Sequence, residues 1–241
     1  MLFDLDDTLI DDTASFRRAA AATAAEITDA RPGPSADELA EAYIREATAV
    51  WTAFDLEQRN GRAAAADTGD ALRHESWRRA LRACGMNDEG LLRRAVISYA
   101  EWRRTTVEVL PGAEQVLDAL RGIVRTAVVT NGAADVQRWK LRQLGLEGRV
   151  DYTIVSEEFG RNKPHPAIFL HAAEKLGAEP SRCLVVGDSL RADIAGAKAA
   201  GMWAAWVNRE GDELPKHAAR PDFVIEGPGE VLDILRRMEA Q

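Results

Sequence analysis

The sequence has little of what marks secreted, membrane-spanning or nucleic-acid-binding proteins. It holds two cysteines, Cys84 and Cys183, in 241 residues, too few for a disulfide framework, so we expect a reducing, cytoplasmic environment. No apolar run approaches the ~20 residues of a membrane helix, and we find no signal-peptide pattern at the start. The 31 Lys and Arg are outnumbered by 39 Asp and Glu, with net charge −8, so neither a nucleic-acid polymer nor a membrane surface is an expected partner.

Six short apolar runs, each followed by a polar residue, predict the strands of a parallel sheet. They are Met1–Phe3, Thr126–Val129, Thr153–Val155, Leu184–Val186, Ala204–Val207 and Phe223–Ile225. Continuous apolar runs are typical of strands buried on both faces, and helical patterns lie between them. The alternation predicts a doubly wound, Rossmann-like α/β domain, in which ligands bind at the carboxyl ends of the strands. Because strands usually have about five or six residues, the short first run raises the expectation that the native chain begins upstream of Met1.

The stretch from Thr13 to Thr106 is rich in Ala, Arg and Glu with helical spacing. It predicts a helical bundle inserted after the first strand, so we expect a core domain of residues 1–12 and 108–241 and a helical domain of residues 13–107. Breaks between its helices are predicted at Arg31–Ser35, near Asn60–Gly61 and around Gly85–Asn87.

Two sets of large side chains in this stretch receive structural interpretations. Trp51, Trp77 and Trp102 are interpreted as core of the bundle rather than as a stacking platform for a ligand. The arginine pair Arg103–Arg104, like other such pairs here, is interpreted as a solvated helix face.

The stretch FDLDDTL crowds three carboxylates, Asp4, Asp6 and Asp7, directly behind the first apolar run. Asp is a poor strand or helix former and like charges repel, so folding alone does not explain this pattern. Three explanations remain open at this point: a metal ion, a helix N-terminus, or chemistry that needs two carboxylates in different protonation states.

Two further carboxylates come late in the chain, Asp188 after the strand of VVGDS and Asp193 at the start of the helix behind it. Because the carboxyl ends of parallel strands meet at one edge, we expect both to join Asp4 and Asp6 there. Four carboxylates without basic partners would be unstable unless a hard cation lay among them. Oxygen-only ligation favours Mg²⁺.

Two segments predict a site for an anion at the same edge. Lys163, in the loop RNKPHP, carries a long ammonium side chain that can reach the crevice from the side. The segment Thr130–Gly132 supplies a hydroxyl and backbone N–H groups at the start of the next helix. By itself TNG also fits an ordinary turn and N-cap. Together with Lys163 and the carboxylates, it favours a phosphate.

The segments DLDDT, VVTNG, KP and GDSLRAD, in this order, resemble the four motifs of the haloacid dehalogenase (HAD) superfamily. The helical insert after the first motif is similar to the subgroup that carries a helical cap there. More narrowly, TNG followed by Q, KL and GL, and then SEEFGRNKPHPAIF, resembles the branch of pyrimidine 5′-nucleotidase-like phosphatases and N-acetylneuraminate-9-phosphate phosphatase.

This resemblance implies roles for the residues above. Asp4 would be the nucleophile that forms an aspartyl-phosphate, and Asp6 the general acid and then the general base. Mg²⁺ would be held by Asp4, the backbone carbonyl of Asp6, and Asp188, with Asp193 supporting the metal directly or through water. The phosphoryl group would be held by Thr130, the Asn131 backbone N–H and Lys163. The cap would close over the crevice and select the leaving group, with Arg17, Arg18, Arg62 and His74 as candidates.

The expected function is an Mg²⁺-dependent phosphatase acting on a small phosphorylated metabolite, a nucleotide or a sugar phosphate, as a monomer or homodimer. Two alternatives remain open: a phosphomutase of the same fold, and a catalytically silent binding or regulatory protein. Haloacid dehalogenase activity is disfavoured, because the resemblance implies a non-acidic residue in those enzymes where this chain has Asp6.

Overall fold

The computed structural model describes residues 1–29, 33–59 and 68–239. They divide into two compact units, Met1–Asp11 with Val109–Gln241, and Asp12–Glu108. The predicted break near Asn60–Gly61 lies outside the described residues, as do the first two residues of Arg31–Ser35. Across the described ranges, no helix combines the length and the apolar character that a membrane crossing requires.

In its described residues the second unit consists of four helices and the short segments that join and flank them. Its helices are α1 (Asp12–Thr28), α2 (Ala36–Arg59), α3 (Thr68–Ala83) and α4 (Glu89–Thr106). Helix α4 begins after Asp88, whose carboxylate accepts a hydrogen bond from the Leu91 N–H at 2.9 Å, as is typical of an N-cap. An aromatic cluster fills the interior, where Tyr43 stacks on Trp77 with ring centroids 4.0 Å apart.

Two side chains of this unit differ from their interpretation in the sequence. Trp77 is fully buried, but Trp102 is 37% exposed, and its indole N–H donates to the carboxylate of Glu26 at 2.8 Å. Arg103, interpreted as part of a solvated face, is buried and pairs with Asp12 at 2.5 Å. Both side chains combine a large apolar part with a polar end. Each can therefore lie at the boundary of a core, and not only in its centre or in solvent.

The first unit is built on a six-stranded parallel sheet in the order β3–β2–β1–β4–β5–β6. The strands are β1 (Leu2–Phe3), β2 (Ala127–Thr130), β3 (Tyr152–Val155), β4 (Leu184–Gly187), β5 (Trp203–Val207) and β6 (Phe223–Ile225). The predicted α/β class with a doubly wound parallel sheet is therefore confirmed. Individual bounds differ from the prediction by one residue: Thr130, for example, closes β2 rather than following it.

Helices connect the strands of this unit. They are α5 (Ala113–Leu120), α6 (Ala134–Gln143), α7 (Ser156–Phe159), α8 (Pro166–Leu176), α9 (Ala195–Ala199) and α10 (Val231–Glu239). Short 3₁₀ turns occupy Glu147–Arg149, Pro180–Arg182 and Pro228–Glu230, and a π-helical turn occupies Leu190–Ile194. Side chains such as Phe169 of α8 and Val185 of β4 belong to one buried apolar cluster, which fixes helix to sheet.

Candidate active site

The strand order reverses beside β1, which lies between β2 and β4. From β1 the chain continues to β2 and β3 on one side, and then crosses to β4, β5 and β6 on the other. Such a switch point leaves a crevice outside the carboxyl ends of the strands. Asp4 follows β1, Thr130 closes β2 and Asp188 follows β4, so three of the predicted site residues surround this crevice.

A tight turn after β1 separates the environments of Asp4 and Asp6. The Asp4 N–H still donates to Val186 O at 2.8 Å and so continues the sheet. The Leu5 carbonyl then accepts from the N–H groups of Leu9 and Ile10, at 2.9 and 3.1 Å. Asp7 has a φ of 58°, a left-handed conformation that Asp tolerates better than most residues. The chain therefore curls at Leu5, and the two carboxylates meet different partners.

Asp4 is buried and pairs with Lys163. Lys163 Nζ donates to Asp4 Oδ1 at 2.5 Å and to Asp193 Oδ1 at 2.7 Å, and all three side chains are buried. Burial raises the pKa of Asp4 to about 6, although Lys163 opposes this shift. Burial alone would lower the pKa of Lys163, but the neighbouring carboxylates of Asp193 and Asp4 raise it above its usual value, so the ammonium form is favoured.

Asp188 is held at the crevice by two residues, one in the turn after β1 and one in β5. Its N–H donates to Thr8 Oγ1 at 3.0 Å, and Trp206 of β5 donates from its indole to the Asp188 carbonyl at 2.8 Å. Burial raises the pKa of Asp188 to about 8, and the nearby carboxylates of Asp4 and Asp193 add to the shift. Further positive charge close to Asp188 would therefore favour its carboxylate form.

Asp193 lies in the π-helical turn, and its second oxygen is also engaged. Asp193 Oδ2 accepts from the Ser189 N–H at 3.1 Å. Gly187, the last residue of β4, makes room for this carboxyl group, because a Cβ at Gly187 would lie 2.3 Å from Asp193 Cγ. The glycine of the GDS segment is therefore required by the close approach of Asp193 to the strand.

Asp4, Asp188 and Asp193 form what we call the acidic cluster. One carboxylate oxygen from each lies within 4.8 Å of the others. The three side chains have Lys163 as a cationic neighbour. Burial, and to a smaller extent repulsion between the carboxylates, raises the pKa of Asp4 and Asp188. Hard oxygen donors at this spacing fit Mg²⁺. Lys163 also lies here and bridges two of these acids, Asp4 and Asp193.

The carboxylate of Asp6 lies apart from the acidic cluster and contacts helix α6. Lys140 Nζ donates to Asp6 Oδ1 and Oδ2 at 2.8 and 2.9 Å. Gln137 Nε2 donates to Asp6 Oδ2 at 3.1 Å. We call Gln137 and Lys140 the Asp6 clamp. The structure therefore brings together three of the four predicted carboxylates, while the fourth has its own cation.

The predicted phosphate-binding residues adjoin both groups. Gln137 Nε2 also donates to Thr130 Oγ1 at 2.5 Å. The side chain of Asn131 donates to Lys163 O at 3.1 Å and accepts from Lys163 N at 2.8 Å, so it fixes the lysine loop against β2. The Gly132 N–H donates to Ser156 Oγ at 3.1 Å.

The start of α6 is already engaged by an acid. The Ala134 N–H donates to the Glu157 carboxylate, which is the side chain that a helix N-terminus prefers. An anion site built on this helix end, as the sequence suggested, is therefore filled in part by Glu157. Thr130 and Lys163 remain the side chains next to the crevice that suit a phosphoryl group.

The candidate specificity residues lie in the helical unit. Arg17, Arg18 and His74 are exposed, and Arg18 donates to the Thr106 carbonyl at 2.8 Å. Arg62 lies outside the described residues.

Sequence reasoning missed the Asp6 clamp and the roles of Thr8 and the Asn131 side chain. The usable signal was in QRWKL, where Gln137 and Lys140 stand three residues apart and so share one face of α6. Both are almost fully buried. Two long polar side chains on the inward face of a helix indicate partners inside the protein.

A family model described as haloacid dehalogenase-like hydrolase matches residues 1–201. Among curated proteins, a glyceraldehyde 3-phosphate phosphatase of Methanopyrus kandleri is 36% identical over 66% of this chain. A pyrimidine 5′-nucleotidase of Escherichia coli is 36% identical over 52% of it. An N-acylneuraminate-9-phosphatase of Rattus norvegicus is 31% identical over 59% of it.

These matches span 70%, 56% and 59% of the relatives' own lengths, so the chain spans less than two thirds of two of them. Among solved structures, a magnesium-bound HAD-hydrolase from Bacillus subtilis is similar over 97% of this chain and 96% of that one, with a TM-score of 0.71 and 26% identity. The predicted superfamily and the predicted branch are both confirmed.

Proposed function

This chain belongs to the haloacid dehalogenase-like hydrolases, and we propose that it is an Mg²⁺-dependent phosphatase that cleaves a small phosphomonoester through an aspartyl-phosphate. One observation carries the proposal. Two carboxylates on one turn have separate surroundings, Asp4 in the acidic cluster beside Lys163, and Asp6 in its clamp. Identical side chains in different surroundings suit two different chemical roles. The named relatives, which act on phosphate esters, support the same reaction.

The acidic cluster supports the metal part of the proposal. Asp4, Asp188 and the backbone carbonyl of Asp6 would hold Mg²⁺, with Asp193 assisting directly or through water. When bound, Mg²⁺ supplies positive charge that offsets repulsion between the nucleophilic carboxylate and the phosphate. Because Asp193 already accepts from Lys163 and Ser189, support through Lys163 is its more direct contribution.

In the first half-reaction an Asp4 carboxylate oxygen attacks phosphorus in line with the leaving oxygen. A bond forms between Asp4 and phosphorus while the ester P–O bond breaks, and Asp6, which has to be protonated when the ester binds, gives its proton to the departing alkoxide. In the second half, Asp6 accepts a proton from water as the water oxygen bonds to phosphorus and the bond between phosphorus and Asp4 breaks. Inorganic phosphate leaves, and Asp4 and Asp6 return to their starting states.

The phosphoryl oxygens need donors, which Thr130, the Asn131 backbone N–H and Lys163 can provide. An ammonium group has three N–H donors. Lys163 uses two of them on Asp4 and Asp193, and the third suits a phosphoryl oxygen. Lys163 would thus hold the nucleophile and its target together. The selection of the leaving group by Arg17, Arg18 and His74 stays a prediction.

A phosphate-release screen tests the function. The panel covers nucleoside monophosphates, sugar phosphates and sialic acid 9-phosphate, each with Mg²⁺ and with a chelator. A parallel assay measures chloride release from a 2-chloro acid. We expect Mg²⁺-dependent phosphate release from at least one ester, with no chloride release. Phosphorus NMR of the products distinguishes hydrolysis from a mutase, which would shift the phosphate to another position. No turnover across the panel would contradict the proposal and favour a binding or regulatory protein.

A further inference from the structure

The proposed reaction gives no role to Gln137 or Lys140, the two residues of the Asp6 clamp. We propose that Lys140, supported by Gln137, is the positioning residue for proton transfer by Asp6. This inference rests on the proposed function, because it requires Asp6 to be the general acid and base. It goes beyond that function by assigning a role to two side chains of α6 that would touch neither the phosphoryl group nor the metal.

The contact between Lys140 and Asp6 is built to orient a carboxylate. One ammonium donates to both oxygens at nearly equal distances, 2.8 and 2.9 Å, and Gln137 donates to Oδ2 from a second position at 3.1 Å. The two donors together fix the plane of the carboxylate as well as its position. The Lys140 side chain is only 4% exposed, whereas that of Asp6 is 31% exposed. Burying an ammonium is costly unless it is paired, so the long Lys140 side chain is held in place while one side of Asp6 faces solvent.

Gln137 links the same carboxylate to the predicted phosphoryl site. It lies one turn before Lys140 on α6, and its amide nitrogen lies 3.1 Å from Asp6 Oδ2 and 2.5 Å from Thr130 Oγ1. The Asn131 carbonyl accepts from the same nitrogen at 3.1 Å. The clamp therefore sets the distance between the proton donor and the residues that would hold phosphate.

Fixed distance matters for the proposed proton transfer. A general acid must come within about 2.6–3.2 Å of the atom it protonates, and an error of about 1 Å can cost roughly 10²-fold in rate. Asp6 lies in a turn that follows the strand rather than in the sheet, and α6 supplies the rigid support. Without Lys140, the Asp6 carboxylate would keep only the contact of one oxygen with Gln137 and would be free to turn about it.

The test compares Lys140→Met with Lys140→Arg and with Asp6→Ala, on p-nitrophenyl phosphate and on an alkyl phosphate found in the screen. We expect Lys140→Met to lower kcat roughly 10- to 100-fold on the alkyl phosphate, with a much smaller loss on p-nitrophenyl phosphate, whose leaving group needs no proton. KM should change little. Lys140→Arg keeps the cation and should recover most of the loss. The double variant Asp6→Ala/Lys140→Met should be no slower than Asp6→Ala.

Controls separate positioning from folding. Arg142→Met removes a cation from an exposed position of the same helix and should leave kcat unchanged. If Lys140→Met does not fold, Gln137→Leu takes its place with the same expected dependence on the leaving group. Equal losses on both substrates, or a double variant whose loss is the product of the single losses, would overturn the inference. Should Asp6→Ala itself show equal losses on both esters, the acid role fails first, and the inference fails with it.

Discussion

Asp4 and Asp6 lie on one turn of the chain, and the regions around them differ in charge and in exposure. Asp4 is buried among two further carboxylates and one lysine, and its pKa is raised to about 6. The side chain of Asp6 is 31% exposed and meets a lysine and an amide. The two lysines come from sequence positions 159 and 134 residues away. Chemical roles of neighbouring, identical side chains are thus decided by partners from distant segments.

The largest effect is expected from Asp4→Asn, which tests one side of this contrast. An amide is a poor nucleophile, so turnover should fall on the order of 10⁴-fold or more, while size and shape at the site are kept. Steady-state kinetics on the best substrate measures the loss, and Asp37→Asn, at an exposed position, controls for the removed charge. Activity near that of the wild type would rule out Asp4 as nucleophile.

Asp6→Ala tests the other side and should cost roughly 10²–10⁴-fold, the usual range for general acid–base catalysis. Because the proposed role of Asp6 is to donate a proton, the loss should grow as the leaving group becomes more basic. Rates on a series of aryl and alkyl phosphates give this dependence. A loss that is the same for every leaving group would contradict the acid role of Asp6.

The two lysines should differ in their contribution to stability. Lys163→Met leaves Asp4 and Asp193 buried without their cation and should cost about 3–5 kcal/mol in the free energy of unfolding. Lys140→Met leaves a carboxylate that water partly reaches, so about 1–2 kcal/mol is expected. Urea denaturation in the presence of a chelator measures both. Equal losses of unfolding free energy would mean that Asp6 is as deeply buried in solution as Asp4.

A loss of stability smaller than that of Lys163→Met is expected at Gly187, where backbone spacing supports the acidic cluster. A Cβ there would collide with Asp193, so Gly187→Ala should cost about 1–3 kcal/mol and also lower kcat. Gly148→Ala is the matched control, because a Cβ at Gly148 meets nothing within 4 Å. Urea denaturation of both variants gives the difference. An unchanged Gly187→Ala protein would show that Asp193 does not depend on this approach.

The sheet, the acidic cluster and a lysine beside it could be predicted from the sequence, whereas the cationic partner of Asp6 could not. Short apolar runs ending in Asp4 and Asp188 locate a crevice, because parallel strands align their carboxyl ends. Lys140 lies on a helix between strands, and its spacing from Gln137 indicates a shared face, but the local sequence does not identify Asp6, 134 residues away, as the partner. Arg103 and Trp102 show the same limit, since long amphipathic side chains fit either side of a core boundary. Such residues are decided by tertiary packing.

The most direct measurement of the central claim is a crystal structure with Mg²⁺ and beryllium trifluoride, which mimics an aspartyl-phosphate. We predict beryllium bonded to a carboxylate oxygen of Asp4, Mg²⁺ beside it in contact with Asp188, and Lys163 on a fluoride. Beryllium trifluoride attached to Asp6 or to any other residue, or Mg²⁺ bound away from the acidic cluster, would contradict the account.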